Sequence, residues 1–342
     1  MKNKTIYKVI TSTLLCGVIC VAVIYNFVCY FEYDYIHHSS LTSMALKETV
    51  ISDIVTLAAV QSVTDNPNEK AIYITENLVI EEEPSNNAFA MDLSRSPAVG
   101  EILLTNETAY KPDLISLLKA PYPITRNKPV FVKLGASKKD EPLVLILHTH
   151  GTEAYYPLIR SSEITENIVS IGAVMSDILN NRGVLTLHCD IMHDAESYLN
   201  SYNRSKETIL KYLEEYPSIL YVFDVHRDAV IGNNGETIKT VTDIDGMNTA
   251  QVMSVVGSDY KSGYHPNWLD NLNIAVKLQN LLNSEYPNIA RPINIRSATF
   301  NAQYAPASLL LEIGSSGNTL PEAKRAAIIT ANKLADLILG SE

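Results

Sequence analysis

Cysteine is scarce, and three of the four residues, Cys16, Cys20 and Cys29, sit in one uncharged stretch near the start of the chain. Downstream only Cys189 remains. No intrachain disulfide can form there, so stability has to come from an ordinary core or from a metal. Positive charge is short as well: 27 Lys and Arg stand against 38 Asp and Glu, a net −11. Setting aside Lys2, Lys4 and Lys8, the charges ahead of the apolar stretch, leaves −14 for the rest. Such a surface argues against nucleic acid, and against holding an anionic wall polymer by bulk charge. The chain also lacks an internal repeat and any low-complexity tract.

Two motifs that look catalytic lack their companions. HRDAVIGN at 226–233 fits the kinase pattern H-R-D-x-x-x-x-N, yet no Gly-rich loop, strand lysine or D-F-G goes with it. GSSG at 314–317 is one residue short of G-x-S-x-G, so a serine-nucleophile elbow is unsupported. A turn feeding a last helix at Pro321 is expected there instead.

Residues 9–31, VITSTLLCGVICVAVIYNFVCYF, carry no charge and are long enough to cross a bilayer as one helix. Lysines on the N-terminal side alone predict a cytoplasmic N-terminus, with everything after Glu32 outside. No small-x-small cleavage site follows the run, which favours an uncleaved anchor over a signal peptide.

From 32 to 142 the pattern is mixed. Helical spacing at 45–62 lies among loop-like stretches such as TDNPNEK and EEEPSNN, and the region reads as a stalk or spacer without chemistry. After Pro142 short apolar runs alternate with helical ones. Strands are predicted at 143–147, 184–188, 218–225, 250–258 and 307–314, and helices at 167–183, 205–217, 267–287 and 320–340. This alternation predicts an α/β domain over 143–342, with a largely parallel sheet covered by helices on both faces.

In such sheets ligands bind beyond the carboxyl ends of the strands. The first predicted strand ends in HTHGTEAY and delivers His148, His150 and Glu153; a later one delivers His226, Arg227 and Asp228; the last delivers Glu312. Two imidazoles and a carboxylate suit a catalytic zinc with an open position, and a further carboxylate suits proton transfer. The spacing assigns His150, Glu153 and His226 as metal ligands and Glu312 as general base and acid, with Glu166 a rival to Glu153. His148 is expected in the core or behind the ligands, not among them. His188, His193 and His265 have no partner at ligand spacing. Arg227 is expected either to hold a substrate carboxylate or to neutralise Asp228 or Asp224.

The blocks HTHGTEAY, FDVHRDAV, VGSDYKSGYHPNWLDNLNIAVKLQ and APASLLLEIGSSGNTLPEAKRAA lie in order over most of the C-terminal 200 or so residues. On them the chain resembles the stage II sporulation protein P family of endospore-forming bacteria. The resemblance implies a membrane-anchored, zinc-dependent cell-wall hydrolase with a fold like the N-acetylmuramoyl-L-alanine amidases. It implies removal of stem peptides from glycan strands, endopeptidase cleavage of cross-links, and action with stage II sporulation proteins D and M in septal thinning and forespore engulfment. It matches His150, His226 and Glu312 to motif positions and leaves the third ligand open between Glu153 and Glu166. A zinc carboxypeptidase acting on stem peptides and a non-catalytic wall-binding scaffold are the competing expectations.

Overall fold

A computed structural model describes residues 88–121, 141–261 and 263–340. The expected anchor at 9–31 and the helical stretch at 45–62 lie outside them. Among the described residues no helix is long and apolar enough to cross a membrane. The elements run β1 (Phe89–Met91), β2 (Leu104–Asn106), α1 (Leu114–Lys119), β3 (Val144–Leu147), α2 (Ile168–Asn181), β4 (Thr186–His188), α3 (Ser201–Glu215), β5 (Tyr221–Asp228), β6 (Ile238–Ile244), β7 (Met247–Ala250), β8 (Val252–Gly257), α4 (Trp268–Glu285), β9 (Ile293–Arg296), β10 (Ala307–Ser315) and α5 (Leu320–Leu339).

Seven strands form the main sheet in the order β2-β9-β8-β10-β5-β3-β4. Every neighbouring pair is parallel except β8 with β10. The carboxyl ends of β3, β5 and β10 therefore share one edge, while β8 ends at the other. Side chains alternate between faces with period two. Val144, Ile146, Phe223, Val225, Leu309 and Leu311 pack in the large core with α2, α4 and α5, whereas Leu145, Leu147 and Val222 meet Ile209 of α3 on the other face. Both faces carry helices, as the alternation of apolar runs predicts.

Two features depart from the expected map. Residues 88–121 do not stand apart as a spacer: β2 pairs with β9 at the sheet edge, and α1 packs into the main core through Leu114, Leu117 and Leu118. These strands are three residues long, too short to show a period. The run read as one strand at 250–258 is broken at Gln251, whose side-chain amide accepts from Leu93 N at 2.8 Å and donates to Asp92 and to Asn288 O. The residues before the break belong to a second, three-stranded sheet, β1-β6-β7.

The helix ends follow local chemistry. Asn167 caps α2 by accepting from Val169 N. Thr319 and Glu322 form a reciprocal capping box on α5, with Pro321 in its first turn and Gly340 in the left-handed region closing it.

Candidate active site

The polar edge begins where β3 ends. His148 and His150 both follow it, but they part company. His148 is fully buried, with Nδ1 2.9 Å from Val225 O and Nε2 3.0 Å from Nε2 of His188. Burial, then the neighbouring His188, pulls its pKa down to about 3, so the ring is neutral. It is a core histidine, although strand alternation, which puts positions two apart on one face, would have set it beside His150; the chain leaves β3 at Leu147 and the two rings diverge in the turn. His193 is also structural: its ring bridges His148 O and Thr208 Oγ1, both at 2.8 Å. His265 lies buried near Asp259 on the loop after β8, at the sheet edge opposite Glu312.

His150 lies in an aromatic box. Tyr198 stacks on it at 4.2 Å between centroids, Tyr202 meets it edge-on at 5.5 Å, and the His226 ring stands at 5.3 Å and nearly perpendicular. Gly151 is required here, because a Cβ would come within 2.8 Å of the Met192 backbone. Glu153 turns back toward the sheet: its Oε2 lies 3.5 Å from His226 Nδ1 and accepts from Arg227 N at 3.2 Å. Glu166 is elsewhere, on an exposed turn with Oε2 accepting from Ser161 Oγ. Of the two rival glutamates, Glu153 is the one placed beside His226.

Glu312 pairs directly with His226 across β10 and β5. Its Oε2 is buried without a hydrogen-bond partner among the described residues. Burial pushes its pKa up to about 8 against the pull of His226, with Asp228 and Glu153 adding to the rise. His226 moves the other way: burial opposes its charge, but Asp224 and Glu153 outweigh it and raise the imidazole well above its ordinary value.

Arg227 neutralises neither Asp228 nor Asp224. Its guanidinium donates to three backbone carbonyls, Ala154 at 2.9 Å, Ile159 at 2.7 Å and Asp228 at 3.4 Å, and so ties down the loop after the histidine motif. Asp228 is paired instead with Arg291, at 2.8 Å. A side chain buried among carbonyls is poorly placed to reach a substrate carboxylate.

Sequence reasoning missed two aspartates. Asp224 accepts from Thr149 N and Oγ1 and contacts His226 Nε2 at 2.9 Å. Asp194 accepts from Thr152 N and Oγ1 and from Arg160, 3.9 Å from His150 Nδ1. The threonines within HTHGTEAY were the available signal, since hydroxyls between ligands in a buried turn need acceptors.

Among the described residues no three His, Cys, Asp or Glu side chains form a ready-made metal centre. The donor chemistry nonetheless suits zinc. Two ligands on a tetrahedral zinc, at bonds of about 2.0–2.1 Å, stand roughly 3.3 Å apart, close to the 3.5 Å between His226 Nδ1 and Glu153 Oε2. His150 would be the third donor, its ring closing on that pair.

The family described as Stage II sporulation protein P (SpoIIP) matches residues 31–336. The chain belongs to that family. Stage II sporulation protein P of Bacillus subtilis (strain 168) is 25% identical over 221 residues, 59% of this chain and 53% of its own length. The chain thus spans about half the length of that curated relative. Among solved structures it is similar to the N-acetylmuramoyl-L-alanine amidase AmiC2 of Nostoc punctiforme, at 14% identity and TM-score 0.38 over 58% of this chain and 97% of that one. It is similar also to the amidase from Clostridium difficile 630, at 10% identity and TM-score 0.38 over 58% and 97%. Likenesses this distant carry no argument about activity.

Proposed function

We propose that this member of the stage II sporulation protein P family is a zinc-dependent peptidoglycan hydrolase, an N-acetylmuramoyl-L-alanine amidase with endopeptidase activity on stem-peptide cross-links. The observation that carries the reading is the convergence of His150, Glu153, His226 and Glu312 on one sheet edge, with Glu312 opposite His226. His150, Glu153 and His226 would hold the metal. Zinc, when bound, lowers the pKa of its water to about 7 and polarises a carbonyl.

The chain's own residues supply the proton chemistry. Glu312, half-buried and with its pKa raised to about 8, is matched to taking a proton from water and passing it to the leaving amine. The buried strand ends hold its carboxyl against His226 and restrict water around it. Arg227 keeps the Ala154–Ile159 loop in place at the rim. The uncharged run at 9–31 would anchor the enzyme at the sporulation septum with this domain outside, where stage II sporulation proteins D and M are the expected partners.

The test is digestion of purified peptidoglycan by the full chain, with and without chelator, and identification of fragments by mass spectrometry. Free stem peptides and bare glycan, lost with chelator and restored by zinc, are expected. Release of terminal residues alone would indicate a carboxypeptidase. Untouched wall and a zinc-free protein would leave the scaffold reading.

A further inference from the structure

HTHGTEAY contains two threonines as well as its ligand candidates, and each is tied to a different buried aspartate. Thr149 gives its N–H at 2.8 Å and its hydroxyl at 2.6 Å to the two oxygens of Asp224. Thr152 repeats the pattern on Asp194, at 3.0 and 2.7 Å. Both carboxylates are at least nine-tenths buried, a costly place for a charge unless its lone pairs are used. The aspartates come from distant parts of the chain, Asp224 from the middle of β5 and Asp194 from the loop after β4.

Each aspartate also faces one histidine. Asp224 Oδ1 lies 2.9 Å from His226 Nε2, and Asp194 Oδ2 lies 3.9 Å from His150 Nδ1. These two ring nitrogens are buried and have no aligned hydrogen bond among the described residues. With Nε2 turned to Asp224, His226 presents Nδ1 toward Glu153 at 3.5 Å. Metal-bound histidines commonly direct their other ring nitrogen to a carboxylate, which sets the tautomer and the ring plane. Tyr198, stacked on His150, keeps that ring from swinging away from Asp194.

We infer that Asp224 and Asp194 are positioning residues for His226 and His150, and that Thr149 and Thr152 hold the aspartates in place. The two threonine–aspartate–histidine chains orient both imidazoles from one turn. A single octapeptide thereby supplies two of the metal donors and the clamps for both histidines. The inference rests on the zinc reading above.

The experiment measures zinc affinity of the full chain by competition with a chromophoric chelator, with the visible spectrum of the cobalt-substituted protein as a second readout of ligand geometry. Asp224→Asn and Asp194→Asn are each expected to weaken zinc binding about 10–100-fold and to alter the cobalt bands. Thr149→Val and Thr152→Val should move in the same direction, and Thr149→Ser and Thr152→Ser, which keep the hydroxyl, should restore binding. Thermal melts of the metal-free proteins identify any variant that fails to fold, and the Ser/Val comparison then decides. Unchanged affinity and cobalt spectra in folded Asn and Val variants would overturn the inference while leaving the zinc reading intact. A wild-type chain that binds no zinc would overturn both.

Discussion

Glu312 and His226 are register partners in adjacent parallel strands, so the candidate proton carrier and a candidate ligand are fixed by the same backbone hydrogen bonds. This relationship makes the Glu312–His226 half of the site depend on the pairing of β10 with β5, whereas His150 and Glu153 sit on the loop after β3. Replacing Glu312 with Gln should leave zinc content unchanged and cut turnover by about 10²–10⁴-fold. Metal analysis beside a peptidoglycan-release assay checks both halves. Full activity in the variant would remove Glu312 from the mechanism.

The pH dependence of stability should show two opposing limbs. The buried His148 has its pKa lowered from 6.5 to about 3, so the unfolded chain takes up a proton first and stability is lost as pH falls from 6.5 toward 3. Glu312 has its pKa raised from 4.5 to about 8, so the unfolded chain gives up its proton first and stability is lost as pH rises from 4.5 toward 8. Chelator-treated protein is therefore expected to be most stable at about pH 5–6. The Glu312→Gln variant should lack the decline that begins near pH 4.5 and keep the loss above 6.5 that His226, raised by Asp224 and Glu153, contributes. Denaturant midpoints across this range decide it, and a steady rise to alkaline pH in the wild type would contradict the assignment.

Gly172 sits on α2 against the His148–His188 pair. A Cβ there would lie 2.4 Å from His148 Nε2 and 2.7 Å from His188 Nε2. His148 is held at both ring nitrogens, so it cannot swing aside cheaply. Gly172→Ala should destabilise by about 1–3 kcal/mol despite the better helix propensity of alanine. Thermal melting should show a drop of several degrees; an unchanged or higher midpoint would mean that the pair repacks freely.

Lys239 and Glu322 form a buried ion pair at 2.7 Å that ties β6 to the first turn of α5. Glu322 also accepts from Asn318 Nδ2 at 2.8 Å and Thr319 N at 2.9 Å. Glu322→Ala strands a buried ammonium and should cost about 3–5 kcal/mol, and the Lys239→Met, Glu322→Met double variant should cost less than that. Chemical denaturation of wild type, Glu322→Ala and the double variant tests this order.

Arg227 holds the carbonyls of Ala154 and Ile159, and Lys cannot reproduce the fork. Arg227→Lys should lower the melting temperature and open residues 155–163 to proteolysis. A variant that melts and resists protease like wild type, yet binds substrate poorly, would return Arg227 to carboxylate binding.

Much of this domain was readable before any coordinates. β3, β5, β8 and β10 are apolar runs buried on both sides, and α2, α4 and α5 carry apolar spacing with recognisable ends at Asn167, Gly183 and Thr319. These signals are local: they depend on side chains a few residues apart, and burial of a whole strand leaves its mark on every residue in it. His150, Glu153, His226 and Glu312 were legible for the same reason, as polar residues at the ends of apolar runs. The β6–β7 hairpin also has a local mark, Asp245-Gly246, both with positive φ, at its turn.

Other features depend on which segments meet. Strand direction leaves no trace within a strand, so the antiparallel pairing of β8 with β10 emerges only when the sheet assembles. The same is true of the choice of Glu153 over Glu166 beside His226, and of Arg227's attachment to carbonyls 68 and 73 residues away. Asp194 and Asp224 look ordinary in the sequence; they acquire a role because folding buries them against Thr152 and Thr149 and leaves each facing one histidine. Residue type and spacing specify donors and acceptors, but which of them are driven together is set by the burial of distant segments in one core.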